Sequence, residues 1–233
     1  MKRLVILFVL LISSAAQAES GAYRVEIIVF QNLAVTADGV QVDEFRSFSR
    51  FPALLEKDLP DGLMATDQKG ARMDGIWRRL RSSKEYRPLL FSAWEQNRTD
   101  YYPPIRIHDD RLVDEQLRPP TSIMVADLAA KDPLGAYMSS FYRLDGTVQL
   151  RRSRFLHLYL DLEYRQEIEQ PDPELQASLF SIKDPTLSES VDYKIYSLQQ
   201  NRQVRSSEFQ YFDTPHFGVL VLITAVADEQ ADR

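Results

Sequence analysis

The chain contains no cysteine, only eight glycines and only three histidines among its 233 residues. Without cysteine, disulfides, thiol catalysis, zinc ribbons, iron–sulfur clusters and lipid attachment to an N-terminal cysteine are all excluded. The low glycine content disfavours phosphate-cradling loops and solenoids built from repeats. With 44% hydrophobic and 27% charged residues, the composition is typical of a folded globular protein.

Motifs that position catalytic groups are also missing. The sequence has no G-x-S-x-G, S-x-x-K, H-E-x-x-H or Walker loop. His108, His157 and His216 are far apart in the chain, so we predict neither a metal nor a cofactor. Two carboxylates can hydrolyse a glycosidic bond without any sequence signature, so Asp161 and Glu163 leave a wall hydrolase open as an alternative. We predict that the chain is not an enzyme and that these two acids form the solvated face of a strand.

Long hydrophobic runs are lacking except at the N-terminus. There, Leu4–Ile12 is an unbroken apolar run preceded by a lysine and an arginine, and Ala16 and Ala18 form an A-x-A cleavage site. Nine apolar residues cannot cross a bilayer core, which needs about 20. We therefore predict a signal peptide over residues 1–18, cleaved after Ala18, and a periplasmic mature chain without a membrane span.

Cleavage makes the chain more acidic. The full chain has 28 Lys/Arg and 34 Asp/Glu, for a net charge of −6, and loss of two basic residues brings the charge to −8. Nucleic-acid binding needs a basic surface, so this balance argues against nucleic acid as a partner.

Apolar, β-branched and aromatic segments predict six or more strands. These segments are 23–30, 88–96, 144–150, 155–164, 193–200, 203–212 and 217–226. Residues 101–108 contain two prolines and can form only a loop or an edge strand. A helix is predicted after Asp74, with Ile76 and Leu80 on one face and its end at Arg87-Pro88. The expected class is α+β: a mainly antiparallel or mixed β-sheet with one or two helices in a single compact domain. We expect this domain to span 19–228 and a short acidic tail to follow at 229–233.

Turn signals and periodicity give finer predictions in the second half. Asn201-Arg202 lies between two strand segments and predicts a hairpin. Asp145-Gly146 predicts a turn at the start of the segment 144–150. In 155–164 the apolar residues alternate strictly with polar ones, which predicts a strand with one buried face.

Arginines and aromatic residues in the second half are the candidates for ligand binding. Guanidinium groups bind carboxylates in a bidentate manner, and aromatic rings offer flat faces to sugar rings. The candidate residues are Arg151, Arg152, Arg154, Arg202, Arg205, Tyr211, Phe212 and His216. Two structural alternatives remain open: the aromatics form a buried strand face, and the arginines protect a strand edge against aggregation.

Four blocks of sequence, in this order, resemble the CsiV family of periplasmic peptidoglycan-binding proteins. They are YRVEIIVF from Tyr23, YRPLLFSAWEQ from Tyr86, LDGTVQLRRSRFLHLYLDLEYR from Leu144 and RQVRSSEFQYFDTPHFGVLVLITAV from Arg202. The resemblance implies a non-catalytic envelope protein that binds peptidoglycan and supports cell-wall synthesis and cell shape. It further implies help to a bifunctional penicillin-binding protein or to that enzyme's lipoprotein activator. The alternative is a protein–protein adaptor for the synthase or its outer-membrane activator, without direct glycan binding.

Overall fold

The computed structural model describes residues 22–35, 40–41, 45–54, 59–97, 103–117, 138–168 and 193–226. Within these ranges, 61% of the residues lie in strands, and one short helix accompanies them in a single compact domain. The predicted class, α+β with mainly antiparallel sheet, is therefore confirmed. The predicted signal peptide and the acidic tail lie outside the described residues.

Two five-stranded antiparallel sheets form the body of the described structure. In chain order the elements are β1 (Tyr23–Asn32), β2 (Val40–Gln41), β3 (Leu63–Ala65), α1 (Asp74–Arg81), β4 (Tyr86–Gln96), β5 (Ile105–His108), β6 (Leu112–Leu117), β7 (Met138–Tyr142), β8 (Leu144–Arg152), β9 (Leu156–Glu167), β10 (Tyr193–Val204), β11 (Phe209–Asp213) and β12 (Phe217–Ala225). Sheet 1 has the order β11-β12-β1-β4-β3, and sheet 2 has the order β2-β10-β9-β8-β5. Strands β6 and β7 form a separate antiparallel pair.

The core lies between the two sheets. Sheet 1 contributes Val25, Ile27 and Trp94 to it, and sheet 2 contributes Leu158 and Leu162, all completely buried. Burial of one such side chain stabilises the fold by about 1.5–3 kcal/mol. The alternation predicted for 155–164 is confirmed, because the even-numbered residues of β9 are the ones that enter this core.

Helix α1 covers the outer face of sheet 1. Strands β1 and β12 also carry apolar side chains on the outward face, such as Ile28 and Leu222, and these need a cover. The helix supplies it with Ile76, Trp77 and Leu80, which form a second and smaller apolar cluster with those side chains. The predicted helix is therefore confirmed in place and in buried face.

The predicted limits of this helix differ from the observed ones. Met73 occupies the N-cap position and Asp74 is the first helical residue. The helix ends at Arg81, well before Arg87-Pro88. The physical reason is that Arg87 and Pro88 already belong to β4, where they pair with β1 and extend sheet 1.

The predicted hairpin around Asn201-Arg202 is wrong. Strand β10 continues through both residues and pairs with β9 along its whole length. The turn comes later, where Ser207 adopts φ 60°, and β11 then joins the other sheet. A continuous ladder of antiparallel hydrogen bonds with β9 outweighs the local turn preference of the dipeptide.

The predicted turn at Asp145-Gly146 is also wrong, because both residues lie inside β8. Gly146 is needed there for another reason. A Cβ atom at this position would lie 2.2 Å from the backbone oxygen of Asp161 in β9, so only glycine allows the two strands to approach as they do. The segment 101–108, by contrast, contains the edge strand β5, as predicted.

Candidate functional site

The outer face of sheet 2 is lined by polar side chains from β8, β9 and β10. Since even-numbered residues of β8 and β9 enter the core, the odd-numbered ones face outward. Two regions follow each other along this face. One is a group of charged residues, here called the ion-pair cluster, in which all but Arg46 are buried, and the other is an open depression, here called the amide groove.

The ion-pair cluster is formed by three guanidinium groups and two carboxylates: Arg46, Arg106, Asp145, Glu163 and Arg165. Asp145 and Glu163 lie opposite each other in the β8–β9 ladder. Arg106 of β5 binds Asp145 in a bidentate manner, with Nε–Oδ1 2.8 Å and Nη2–Oδ2 2.7 Å. These paired, charge-assisted hydrogen bonds fix the position of β5 relative to β8 and neutralise the two charges.

Arg165 joins the two carboxylates at the centre of the cluster. Its Nη2 donates to Glu163 Oε2 at 2.8 Å, and its Nη1 lies 3.5 Å from Asp145 Oδ2. Phe45 and Phe141 cover the guanidinium, with their ring centroids 5.0 and 5.7 Å from its central carbon. The expectation that Glu163 belongs to a solvated face is wrong, because this residue is only 3% exposed.

Arg46 connects the ion-pair cluster to the amide groove. It donates to Glu163 on the cluster side and to Asp161 on the groove side, where its Nη2 lies 2.8 Å from Oδ1. Burial of Arg46 disfavours its charged form, but the hydrogen bonds to Asp161 and Glu163 outweigh burial and raise the pKa of the guanidinium. Asp161 also accepts from Gln199 Nε2 at 3.1 Å, so two neighbours hold its carboxylate in place.

The amide groove is a shallow, open cavity of about 340 Å³ across β8, β9 and β10. It is lined by Pro104, Thr147, Gln149, Tyr159, Leu160, Asp161, Gln199, Gln200 and Asn201. In the β8–β9–β10 register, Gln149, Tyr159 and Asn201 form one row, and Thr147, Asp161 and Gln199 form the next. Within the described part of the chain, the Tyr159 hydroxyl and the Asn201 amide have no hydrogen-bond partner, so both remain available to a ligand.

This combination of groups suits a carbohydrate. Amide and carboxylate side chains exchange hydrogen bonds with sugar hydroxyls and N-acetyl groups. The half-buried ring of Tyr159 gives an apolar surface beside them, against which the C–H face of a sugar can pack. The groove is open along the sheet, so it can admit a polymer rather than only a small molecule.

The same geometry disfavours glycoside hydrolysis at these acids. Hydrolysis needs two carboxyl groups that both reach the scissile bond. Of Asp161 and Glu163, only Asp161 lines the groove, while Glu163 is enclosed by Arg46 and Arg165. Among the described residues, no group of three or more His, Asp or Glu side chains is arranged to bind a metal ion.

The arginines predicted at the β8–β9 hairpin lie beside the amide groove rather than in it. Arg151 is exposed on the same outer face, opposite His157 and next to the Tyr159 row. Arg152 points to the opposite side and donates to the Tyr23 hydroxyl at 2.9 Å. Arg154 is exposed in the turn between β8 and β9, with its guanidinium over the ring of Phe155.

The arginines predicted on the second segment have protein partners. Arg202 lies over the ring of Phe212, at 4.4 Å from the centroid, and donates to the Tyr211 carbonyl at 2.9 Å. That carbonyl belongs to the edge strand β11, so Arg202 fits the alternative in which an arginine protects a strand edge. Arg205 is exposed and lies 3.6 Å from Glu208.

The three remaining candidates are distributed over different layers. Tyr211 is 49% exposed on the outer face of sheet 1, where its ring stacks on Phe30. Phe212 is completely buried in the core. His216 is buried against Tyr196, at 3.5 Å between ring centroids, and burial together with the charge of Lys194 lowers its pKa. The fold thus brings only Arg151 next to the amide groove.

The sequence interpretation missed most groove residues. The alternation in 155–164 predicts that Tyr159 and Asp161 lie on the outward face, which is the signal by which these two could be found. Asn201 is missed because the predicted hairpin breaks β10 at this residue. Gln199 lies within the predicted segment 193–200, but its pairing with Asp161 of β9 is not visible in a local pattern.

Comparison with protein-family models matches residues 32–226 to a model described as a peptidoglycan-binding protein, CsiV. No match was found among curated proteins or among solved structures. The helix within the described ranges is too short and too polar to cross a membrane. The family's description names a binding protein and implies a location in the periplasm or elsewhere in the cell envelope. The matched region covers most of the chain, which therefore belongs to the CsiV family of peptidoglycan-binding proteins.

Proposed function

We propose that this chain is a non-catalytic periplasmic protein that holds the glycan strand of peptidoglycan in the amide groove and supports cell-wall synthesis. The observation that carries the proposal is the row formed by Gln149, Tyr159 and Asn201 on an open sheet face, beside the fixed carboxylate of Asp161. The family's description gives the ligand class, and the groove offers the groups that this class requires.

Stacking and hydrogen bonding have separate roles in this proposal. The Tyr159 ring packs against the apolar face of one sugar, and its hydroxyl hydrogen-bonds to a neighbouring group of the polymer. The amides of Gln199 and Asn201 exchange hydrogen bonds with N-acetyl groups, which present both a donor and an acceptor. Because these side chains stand on paired strands, their spacing is fixed before the ligand binds, which reduces the entropic cost of binding.

Charge at the groove is close to balanced. The carboxylate of Asp161 is offset by Arg46, so the groove does not repel the acidic polymer despite the net charge of the chain. Arg151 extends the site at one end, where its exposed guanidinium can pair with a stem-peptide carboxylate. Arg151 is thus the predicted ligand residue that we retain for this site.

A pull-down with purified sacculi tests the proposal. The protein used is residues 19–233, which contain the whole described fold and lack the predicted signal peptide. Soluble muropeptides are assayed in the supernatant. We expect protein in the pellet and no released muropeptides, and Tyr159→Ala is expected to bind about tenfold more weakly, the equivalent of about 1.4 kcal/mol.

Phe155→Ala is the matched control, because Phe155 is an aromatic residue with 47% exposure that lies outside the groove. Its sacculus binding should equal that of the wild type. Wild-type protein that stays in solution would contradict wall binding itself. Equal binding of Tyr159→Ala and wild type would remove the groove from the site, and muropeptide release would contradict the non-catalytic role.

The support of wall synthesis needs a protein partner as well, for which we propose a bifunctional penicillin-binding protein or its lipoprotein activator. The short edge strand β3 favours this part of the proposal, because among the described strands it pairs only with β4, and Met64 is 59% exposed. An exposed edge can accept a strand from another protein. Co-purification with the synthase by a Tyr159→Ala variant that no longer binds sacculi would show that the partner contact does not depend on glycan binding, whereas wild-type protein that ignores sacculi but co-purifies with the synthase would favour the adaptor role over direct glycan binding.

A further inference from the structure

The outer face of sheet 1 has a chemical character opposite to that of the amide groove. The segment 66–85, which connects β3 to β4 and contains α1, carries six Lys/Arg and three Asp/Glu, for a net charge of +3. Since the full chain has −6, the other 213 residues together carry −9. Basic residues are thus concentrated in one short segment of an acidic protein.

The basic side chains of this segment are Lys69, Arg72, Arg78, Arg79, Arg81 and Lys84, and all six are exposed. Helix α1 directs its apolar residues into sheet 1, so its arginines point away from the sheet. Arg78 pairs with Asp74 at 3.1 Å. For the other five, the described part of the chain offers no carboxylate partner.

The residues just before α1 are held against the outer face of sheet 1. Glu26 of β1 is 1% exposed, and its carboxylate accepts hydrogen bonds from the backbone N–H groups of Arg72 and Met73. This anchor fixes the backbone while leaving the Arg72 side chain in solvent. The basic residues are therefore presented from a fixed backbone, and their charged groups can reach a flat surface.

Exposed aromatic side chains lie on the same side of the sandwich. Phe209 and Tyr211 are 56% and 49% exposed on the outer face of β11, and Tyr86 is 36% exposed. The Phe30 ring joins two of them, with Tyr211 stacked on it at 6.4 Å and Tyr86 edge-on at 5.3 Å. Together with the six basic residues, Tyr86, Phe209 and Tyr211 define what we call the basic-aromatic face.

We propose that the basic-aromatic face docks on an anionic phospholipid bilayer. Lysine and arginine attract anionic headgroups over a Debye length, and exposed aromatic rings enter the interface between headgroups and acyl chains. The cations are spread over a helix surface rather than gathered around a cavity, which suits a flat, delocalised anion. The contact is peripheral and requires no membrane-spanning segment.

The position of this face makes a bilayer a better occupant than the wall polymer. Sheet 1 lies between α1 and the core, and sheet 2 lies between the core and the amide groove. The basic-aromatic face and the groove are therefore on opposite sides of the molecule. A single glycan strand in the groove does not reach the arginines of α1, so a protein bound through both faces bridges the wall to a membrane surface.

Vesicle flotation tests the proposal. Residues 19–233 are mixed at low salt with phosphatidylcholine vesicles that contain about 30 mol% phosphatidylglycerol or none. Wild-type protein is expected to float only with the anionic vesicles. Each basic residue near an anionic surface strengthens binding about fivefold, so the double variant Arg79→Gln/Arg81→Gln should bind about 25-fold more weakly.

Matched controls separate this surface from net charge. Arg111→Gln/Arg154→Gln removes the same charge from exposed positions in and beside sheet 2 and should float like the wild type. Phe209→Ser should weaken flotation several-fold, whereas Phe155→Ser, at a similarly exposed phenylalanine, should not. Flotation that is absent in the wild type, or equally reduced in both arginine pairs, would overturn the proposal.

Sacculus binding by Arg79→Gln/Arg81→Gln distinguishes this inference from the proposed function. Unchanged sacculus binding supports two separate surfaces. Loss of both sacculus and vesicle binding would mean that the arginines of α1 contact the wall, which would overturn the assignment of this face to a bilayer.

Discussion

The two outer faces of the sandwich differ because their strands differ. In β9, apolar and polar residues alternate, so one side enters the core and the other side supplies a polar surface directly. In β1 and β12, the outward side also carries apolar residues, and these need α1 as a cover. The polar surface of sheet 2 is therefore set by strand register, and the basic surface over sheet 1 is made by the added helix. The first suits a ligand that is recognised through hydrogen bonds, and the second suits a general electrostatic contact.

The largest effect is expected from the buried ion pairs of the cluster on the sheet 2 face. Arg165→Met leaves the carboxylates of Asp145 and Glu163 without their central partner, which should lower the free energy of unfolding by about 3–5 kcal/mol. Urea denaturation measures this change. Arg111→Met is the matched control, because its ion pair with Glu167 is exposed and should contribute at most about 1 kcal/mol. Similar losses in the two variants would contradict the special role of the cluster.

A pair of glycine substitutions compares the backbone of the two faces. Gly146→Ala forces a Cβ atom against the β9 backbone and should destabilise the fold by about 1–3 kcal/mol. Gly75→Ala in α1 meets no atom within 4 Å and should stabilise the protein by up to about 1 kcal/mol, since glycine is a poor helix former. Thermal unfolding should show a lower melting temperature for Gly146→Ala and a higher one for Gly75→Ala. A tolerated Gly146→Ala would contradict the close β8–β9 approach.

Salt should separate the binding properties of the two faces. Vesicle binding through exposed arginines is screened by ions and should fall about tenfold or more between low salt and physiological ionic strength. Sacculus binding relies mainly on stacking and hydrogen bonds, with Arg151 as its one exposed ion pair, and should change much less. Parallel titrations of the wild-type protein with salt, read by flotation and by pull-down, provide the comparison. Equal salt dependence would indicate a single electrostatic surface for both ligands.

The smallest effect concerns pH and His216. Burial lowers its pKa, so the unfolded chain binds a proton more readily than the folded chain as the pH falls below about 6.5. The stability contributed by the neutral imidazole is thus complete above that pH and decreases as the pH falls toward the folded-state pKa. Between about pH 7.5 and about pH 5.5, the melting temperature of the wild type should fall further than that of His216→Asn. An equal fall in the two proteins would contradict this assignment.

Much of the fold could be predicted from the sequence because hydrophobic periodicity is a strong local signal. It gave the strands at 23–30, 155–164 and 217–226 and the buried face of α1. The incorrect predictions are the turns assigned to two dipeptides. Asn201-Arg202 and Asp145-Gly146 favour turns locally, but each lies inside a strand whose neighbours provide hydrogen bonds along its whole length. A pairing partner distant in sequence is invisible to a local pattern.

The candidate site was harder to predict for the same reason. Arg151 was selected because arginines cluster nearby in sequence, yet the groove it flanks combines residues from β8, β9 and β10. Glu163 was expected in solvent because it alternates with leucines. Its burial depends on Arg165 and Arg46, and Arg46 comes from a distant part of the chain. Alternation identifies the outward face of a strand but not what packs on it.

The central claim is that the amide groove holds the wall polymer and that the opposite face does not. The most direct test is the sacculus pull-down of Tyr159→Ala and Arg79→Gln/Arg81→Gln in parallel with the wild type. We predict that Tyr159→Ala loses about tenfold in binding and that the arginine variant keeps wild-type binding. The reverse pattern, with binding lost in the arginine variant and kept in Tyr159→Ala, would contradict the account.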